Sequence, residues 1–250
     1  MAPPPTGADE LTGPFNTAFE QITQGFHDAV EAYNKIVHTV NHWSWAFGLA
    51  AGWWIKHGLD QVRAGLETVQ EKVAYAVDHQ IPVLSLINTS FSWISAAKTP
   101  ISELSFQTTE PRDENMAKWT GDAASSYNGK ATKQKAAVDE AVTKSEFISQ
   151  WLFKIAKSNV DFVVALAKIV NDIAGKLVQA AVDATTVIDI PWAIDKLSDS
   201  VGTLVKGLLD TIAQVGQRFV EALGNVRDIA TQVGDHSKLP GGNWPEAVRG

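Results

Sequence analysis

The sequence predicts an all-α fold, an elongated bundle of long antiparallel helices, and three observations carry that prediction. Apolar residues recur three and four apart over most of the chain, the spacing that gathers them on one helical face. No stretch alternates apolar and polar residues between hairpin turns, as a half-buried strand would. The periodic stretches are separated by short breaks of Pro, Gly or polar residues, so successive helices should fold back on one another.

Residues 1–14, "MAPPPTGADELTGP", read as a flexible leader of Pro, Gly and acid. A first helix is expected over about 15–57, with Phe15, Phe19, Ile22, Phe26, Val30, Tyr33, Val37, Val40, Trp43 and Phe47 on one stripe that continues into "WSWAFGLAAGWWI". A second runs over 59–80 with Glu67, Glu71 and Lys72 on its polar side, and Pro82 should end or kink it. A third, 83–106, places Leu84, Ile87, Phe91 and Ile94 on one face, before the polar loop "TTEPRDENMAK". The fourth, 122–184, is polar at first and richly apolar from Phe147 onward. Its charges at Lys154, Asp161, Lys168, Asp172 and Lys176 leave one solvated stripe on a helix otherwise packed. "ATTVIDIPW" breaks it. The last helix, 191–234, has the clearest stripe: Ile194, Leu197, Val201, Leu204, Leu208, Ile212, Val215, Phe219, Leu223, Val226, Ile229 and Val233. Residues 235–250 read as a flexible tail, leaving 15–234 as a single elongated helical domain.

Composition narrows the function classes. An apolar fraction of 45% and a charged fraction of 20% suit an ordered, water-soluble chain. The net charge of −7, without a basic block, argues against nucleic acid as a partner. The absence of cysteine removes disulfides, thiolate nucleophiles and cysteine zinc sites together. The leader has neither a basic n-region nor an apolar h-region, so export would need a route without a cleaved signal peptide.

Candidates for chemistry are few. His38 and His42 lie four apart on one helix face, but zinc needs a third ligand and only Glu31 offers itself there. Two solvated histidines are the simpler reading. No phosphate-binding Gly loop, GxSxG elbow or HExxH helix occurs, and paired carboxylates such as Asp139 and Glu140 sit on a polar helix surface. The expectation is a protein that is not an enzyme, with no catalytic residue, cofactor or metal.

The tryptophan-rich stretch admits two readings. Trp43, Trp45, Trp53 and Trp54 bracket a nearly uncharged segment, and Gly48 and Gly52 form a GxxxG spacing inside it. Aromatic ends with small residues between are features of membrane helices. The strongly apolar part, Trp43 to Ile55, is however only 13 residues, against about 20 for a span. In the first reading the glycines let a second helix approach closely and the tryptophans fill the core. In the second the segment lies in a membrane interface.

A compact cluster, "KWTGDAASSY" (118–127), interrupts the helical pattern midway. Gly121 can adopt a backbone conformation closed to its neighbours, Asp122 can cap the helix that follows, and Trp119 can plug the point where two helices diverge. Tyr127 falls on the first turns of the new helix. The W-x-G turn, followed by D-A-A and an aromatic six residues after the glycine, resembles the WXG family of type VII (ESX) secretion substrates. It is most similar to the longer ESX-associated proteins of actinobacteria, and the resemblance covers about residues 100–160. It implies a helix-turn-helix hairpin and pairing into four-helix bundles with another helical type VII substrate or with itself. It also implies contact with the secretion machinery, and export without a cleaved signal peptide. The family's Y-x-x-x-[D/E] export signal is missing, since Tyr127 is followed by "NGKA", Tyr33 by "NKIV" and Tyr75 by "AVDH".

A fainter echo links "GLAAGWW" at Gly48 with "GDAASSY" at Gly121. It raises a second hairpin turn, with 15–80 and 83–160 packed together. The function expected first is a type VII substrate or secretion-associated helical protein, secreted or in the cell envelope and working through protein contacts. The alternative is a membrane-active, pore-forming helical protein that uses the Trp-rich segment and an apolar tip, "VIDIPW", ending at Trp192.

Overall fold

The computed structural model describes residues 7–78, 81–109, 114–239 and 243–245. Among these, regular structure is entirely helical: α1 (Asp9–His42), α2 (Leu49–Asp78), α3 (Ile81–Ser92), α4 (Thr99–Thr109), α5 (Glu114–Lys118), α6 (Asp122–Asp183) and α7 (Asp189–Gly234). The all-α class therefore holds. The chain divides into two compact units, one of residues 1–84 with 157–218 and the other of 85–156 with 219–250. Helices α6 and α7 each contribute to both.

In the first unit α1 differs from its expected form in extent and in face. It starts at Asp9, so residues assigned to a leader are helical, and it ends at His42, so the helix expected over 15–57 is broken. Between α1 and α2 the chain makes a 3-10 turn at Ser44–Ala46, and Phe47 is extended at φ −85°, ψ 130°. Ser44 Oγ donates to the Asn41 carbonyl at 2.8 Å, occupying an acceptor at the end of α1. The buried stripe is Leu11, Phe15, Ala18, Ile22, Gly25, Ala29, Ala32 and Ile36, a strict alternation of four and three. Phe15 and Ile22 belong to the expected stripe. Phe19, Phe26 and Tyr33 are only half-buried and Val30 is exposed, because α1 presents its small residues to the core.

Close packing explains that choice. A Cβ on Gly25 would lie 2.6 Å from Asn171 Oδ1 and 2.9 Å from Val170 Cγ1 of α6. A Cβ on Gly58 would lie 2.6 Å from Ile194 Cγ2, and one on Gly65 2.8 Å from Val201 Cγ1, both on α7. Hydrogen bonds add to these contacts: Ser198 Oγ donates to Gln61 Oε1 at 3.0 Å in the α2–α7 register, and the Tyr33 hydroxyl joins α1 to α2 by donating to the Leu59 carbonyl at 3.5 Å. Burial raises the Tyr33 phenol above its ordinary pKa. The remaining stripes are heptad-like too, with Ile55, Leu59, Val62, Val69 and Val73 buried on α2 and Ile190, Ile194, Leu197, Val201 and Leu208 on α7. The stripe expected on the last helix is thus matched from Ile194 to Leu208, apart from half-buried Leu204, while the side chains of Val215, Phe219, Leu223 and Val226 fall outside the described set.

The break after Asp183 was expected and is built by a threonine. Its carbonyl accepts from the Asp189 and Ile190 N–H groups at 3.1 and 3.2 Å, and the Thr186 hydroxyl pairs with the Asp189 carboxylate. This reciprocal arrangement at a helix start resembles a capping box.

In the second unit, the helix expected over 83–106 is interrupted by a π-helical turn at Trp93–Lys98. Pro100 supplies the reason: it has no N–H for the carbonyl four residues back, and its ring clashes there, so the helix widens. Pro82 lies in the first turn of α3, where a missing N–H costs little. The core carries three satisfied serines: Ser149 Oγ donates to the Ser90 carbonyl and Ser90 Oγ to the Ile87 carbonyl, each at 2.7 Å, and Ser145 Oγ to the Ala141 carbonyl at 2.8 Å. Phe91 and Phe153 meet edge to face at 6.1 Å, and Lys98 pairs with Glu146 at 2.9 Å. Where a flexible tail was expected, Lys144 Nζ donates to the Asp235 carbonyl at 2.6 Å and Gln134 Nε2 to that of Pro245 at 3.2 Å.

Candidate functional site

The cluster at Trp119 joins α5 to α6. Trp119 N–H donates to the Met116 carbonyl at 3.3 Å, and the Gly121 carbonyl accepts from Ser125 N–H at 3.0 Å. Gly121 has φ +101°, the single positive φ among the described residues, and open space surrounds it. Backbone conformation, not crowding, requires glycine here. Gly121 also occupies the cap position, which corrects the role expected for Asp122: the aspartate is the first residue of α6, and its charge faces the positive end of the helix dipole. Trp119 does not plug a core. Its ring is exposed and tilted at 48° against that of Tyr127, with centroids 5.8 Å apart, and Tyr127 is exposed as well.

The tryptophan-rich stretch lies at the turn between α1 and α2. Trp45 is 78% exposed, Leu49 98%, Trp53 63% and Trp54 53%, while Trp43 is half-buried. The rings lean on one another and on histidines. Trp43 and Trp45 are 6.2 Å apart, Trp53 and Trp54 6.4 Å, and Trp53 stacks on His57 at 5.4 Å with planes 2° apart. A Cβ on Gly48 or Gly52 would meet nothing within 4 Å. Among the described residues of the chain, then, no second helix approaches these glycines, and Trp45, Trp53 and Trp54 do not fill its core. Close approach occurs about two and four turns beyond Gly52 along α2, at Gly58 and Gly65, where the buried stripe passes.

The turn between α6 and α7 adds its own apolar groups. Ile188 is 87% exposed, and the exposed Trp192 ring carries Lys196 Nζ 4.8 Å from its centroid. Leu49 and Ile188 are the most exposed large apolar side chains described, and no periodicity argument singles them out because each sits beside a break in the pattern.

The echo between Gly48 and Gly121 is half right. Gly48 does precede a helix as Gly121 does, and its carbonyl accepts from Gly52 N–H at 2.9 Å. Its φ is not positive, however, and within its own unit the α1–α2 hairpin packs on residues 170–171 and 194–205.

His38 and His42 are exposed, and the His42 ring meets Trp43 edge-on at 5.1 Å. Among the described residues no group of three or more His, Asp or Glu could hold a metal ion, and no helix is long and apolar enough to cross a membrane. Comparison with known proteins gives no match: no family model fits the chain, and no curated protein and no solved structure is significantly similar to it.

Proposed function

We propose that this chain is a type VII (ESX) secretion substrate or secretion-associated helical protein, exported without a cleaved signal peptide. In this reading it is not an enzyme and acts through protein contacts in the cell envelope or outside the cell. The observation that carries the reading is the Trp119–Gly121 turn. A glycine at φ +101° separates two helices, and the tryptophan before it pairs with a tyrosine on the helix after it. The flanking contacts suit a hairpin built on that turn. Residues 90 and 149 are hydrogen-bonded and residues 98 and 146 are ion-paired, so the later residue on one arm meets the earlier residue on the other.

No tyrosine in the chain has an acidic residue four positions on. A helical partner, another type VII substrate or a second copy, would then carry the missing half of the export address. The test is secretion itself. The protein should accumulate in the culture supernatant of its host and vanish from it when the type VII ATPase is deleted. Undiminished export in the deletion strain would reject the reading.

A further inference from the structure

Both turns of the unit formed by residues 1–84 and 157–218 lie at one level. Gly58 packs on Ile194, Gln61 bonds to Ser198, and Gly65 packs on Val201, so α2 and α7 run side by side in the same direction. Carried back along that register, Trp53 falls level with Asp189, and the 43–54 and 184–192 segments form one end. We propose that this end docks on the interfacial layer of a lipid bilayer, lying in it without spanning it.

Three properties favour lipid. Trp45, Trp53, Trp54 and Trp192 are exposed together with Leu49 and Ile188, and indole, apolar in body with a polar N–H, partitions to the headgroup boundary. The depth also fits. From Leu49 to Trp54 the helix rises about 7.5 Å, within the roughly 5–10 Å to which interfacial groups bury. Just beyond, Ile55 is buried and the bundle core begins.

Charge supplies the third property. Residues 32–59 contain Lys35 and Lys56 and no carboxylate, while 183–196 contain Asp183, Asp189, Asp195 and Lys196. The 43–54 and 184–192 segments themselves carry a single formal charge, that of Asp189, in a chain of net charge −7. Two of the aspartates are engaged locally, Asp183 by Gln179 at 2.8 Å and Asp189 by Thr186. An anionic membrane would thus repel the rest of the surface more than this end, and the chain would approach end-on. Lys56 and Lys196 stand about a turn from the exposed rings, placed for their stems to lie along apolar surface and their ammonium groups to reach phosphates. A protein partner would need a pocket complementary to both turns, whereas a fluid layer needs none.

The experiment is flotation of the purified full-length chain with vesicles of phosphatidylcholine, alone and mixed with phosphatidylglycerol. The chain should float with both, with tryptophan emission shifted to the blue. A Trp53→Ser/Trp54→Ser double variant should lower partitioning about tenfold or more, given the apolar area removed. Its urea midpoint should not move, since both rings are exposed. Trp244→Ser, on an exposed tryptophan of the other unit, should change nothing. Absence of flotation with either vesicle would overturn the proposal, as would equal losses in the two variants. Equally adverse would be a self-association abolished by the double variant in a protein that ignores vesicles, which would assign the end to a second copy of the chain. Because the purified chain needs no secretion system, this test and the export test succeed or fail separately.

Discussion

Two pairs of glycines in one stretch of sequence behave in opposite ways. Gly48 and Gly52 are four apart among tryptophans, the spacing associated with close helix contact, and nothing lies within 4 Å of the Cβ either would carry. Gly58 and Gly65 are seven apart in an ordinary amphipathic stretch, and added Cβ atoms there would run into Ile194 and Val201. The difference is their relation to the buried stripe. Gly58 and Gly65 lie along the same face as Leu59, Val62 and Val69, whereas Gly48 and Gly52 precede Ile55, where burial begins. Small residues create an interface only where a partner helix already arrives.

Substitutions can break this contrast. Gly58→Val should be the most harmful, costing about 3 kcal/mol, because a β-branched group would meet the stiff, fully buried Ile194 side chain. An unchanged urea midpoint would mean that α2 and α7 are further apart than described. Gly121→Val should cost less, about 1–2 kcal/mol, since space is open and only the left-handed backbone is penalised. A variant as stable as the parent would show that this turn does not hold the positive φ. Gly52→Ala should have the smallest effect and the opposite sign. Removing a helical glycine with open space at its Cβ position raises stability by about 0.5–1 kcal/mol, and a loss in its place would reveal a hidden contact at the aromatic end.

The two helix-starting glycines sharpen the same point. Gly48 and Gly121 each accept the first hydrogen bond of a following helix, yet only Gly121 has a positive φ. The turn at Gly121 is legible because polar residues precede it and Trp119, Gly121 and Asp122 mark it. The turn at Gly48 is not legible, since Val40, Trp43 and Phe47 continue the helical spacing through it. Periodicity records which residues could share a face and is silent on whether the chain stays helical between them.

The buried face of α1 departs from the expected one for a related reason. Phe19, Phe26 and Val30 are more hydrophobic than Ala18, Gly25 and Ala29, so the larger set draws attention, and both sets have helical spacing. Which set is buried depends on how near the neighbouring helix comes. At Gly25 the clearance is too small even for a methyl group. On α7 no such competition exists, because large apolar residues occupy one stripe, and spacing alone singles out the buried Ile194, Leu197, Val201 and Leu208.

By itself, the sequence determined what depends on local chemistry: helical class from apolar spacing, the stop before Ile190, the glycine turn beside Trp119, and the clustering of tryptophans around residue 50. Tertiary packing alone set which face of α1 is buried, that the chain reverses between His42 and Leu49, and that Trp45, Trp53 and Trp54 stand in solvent, as do Ile188 and Trp192. Those features depend on the distance and direction of helices more than 100 residues away in sequence, 194–205 against 58–65, and no local propensity encodes that separation.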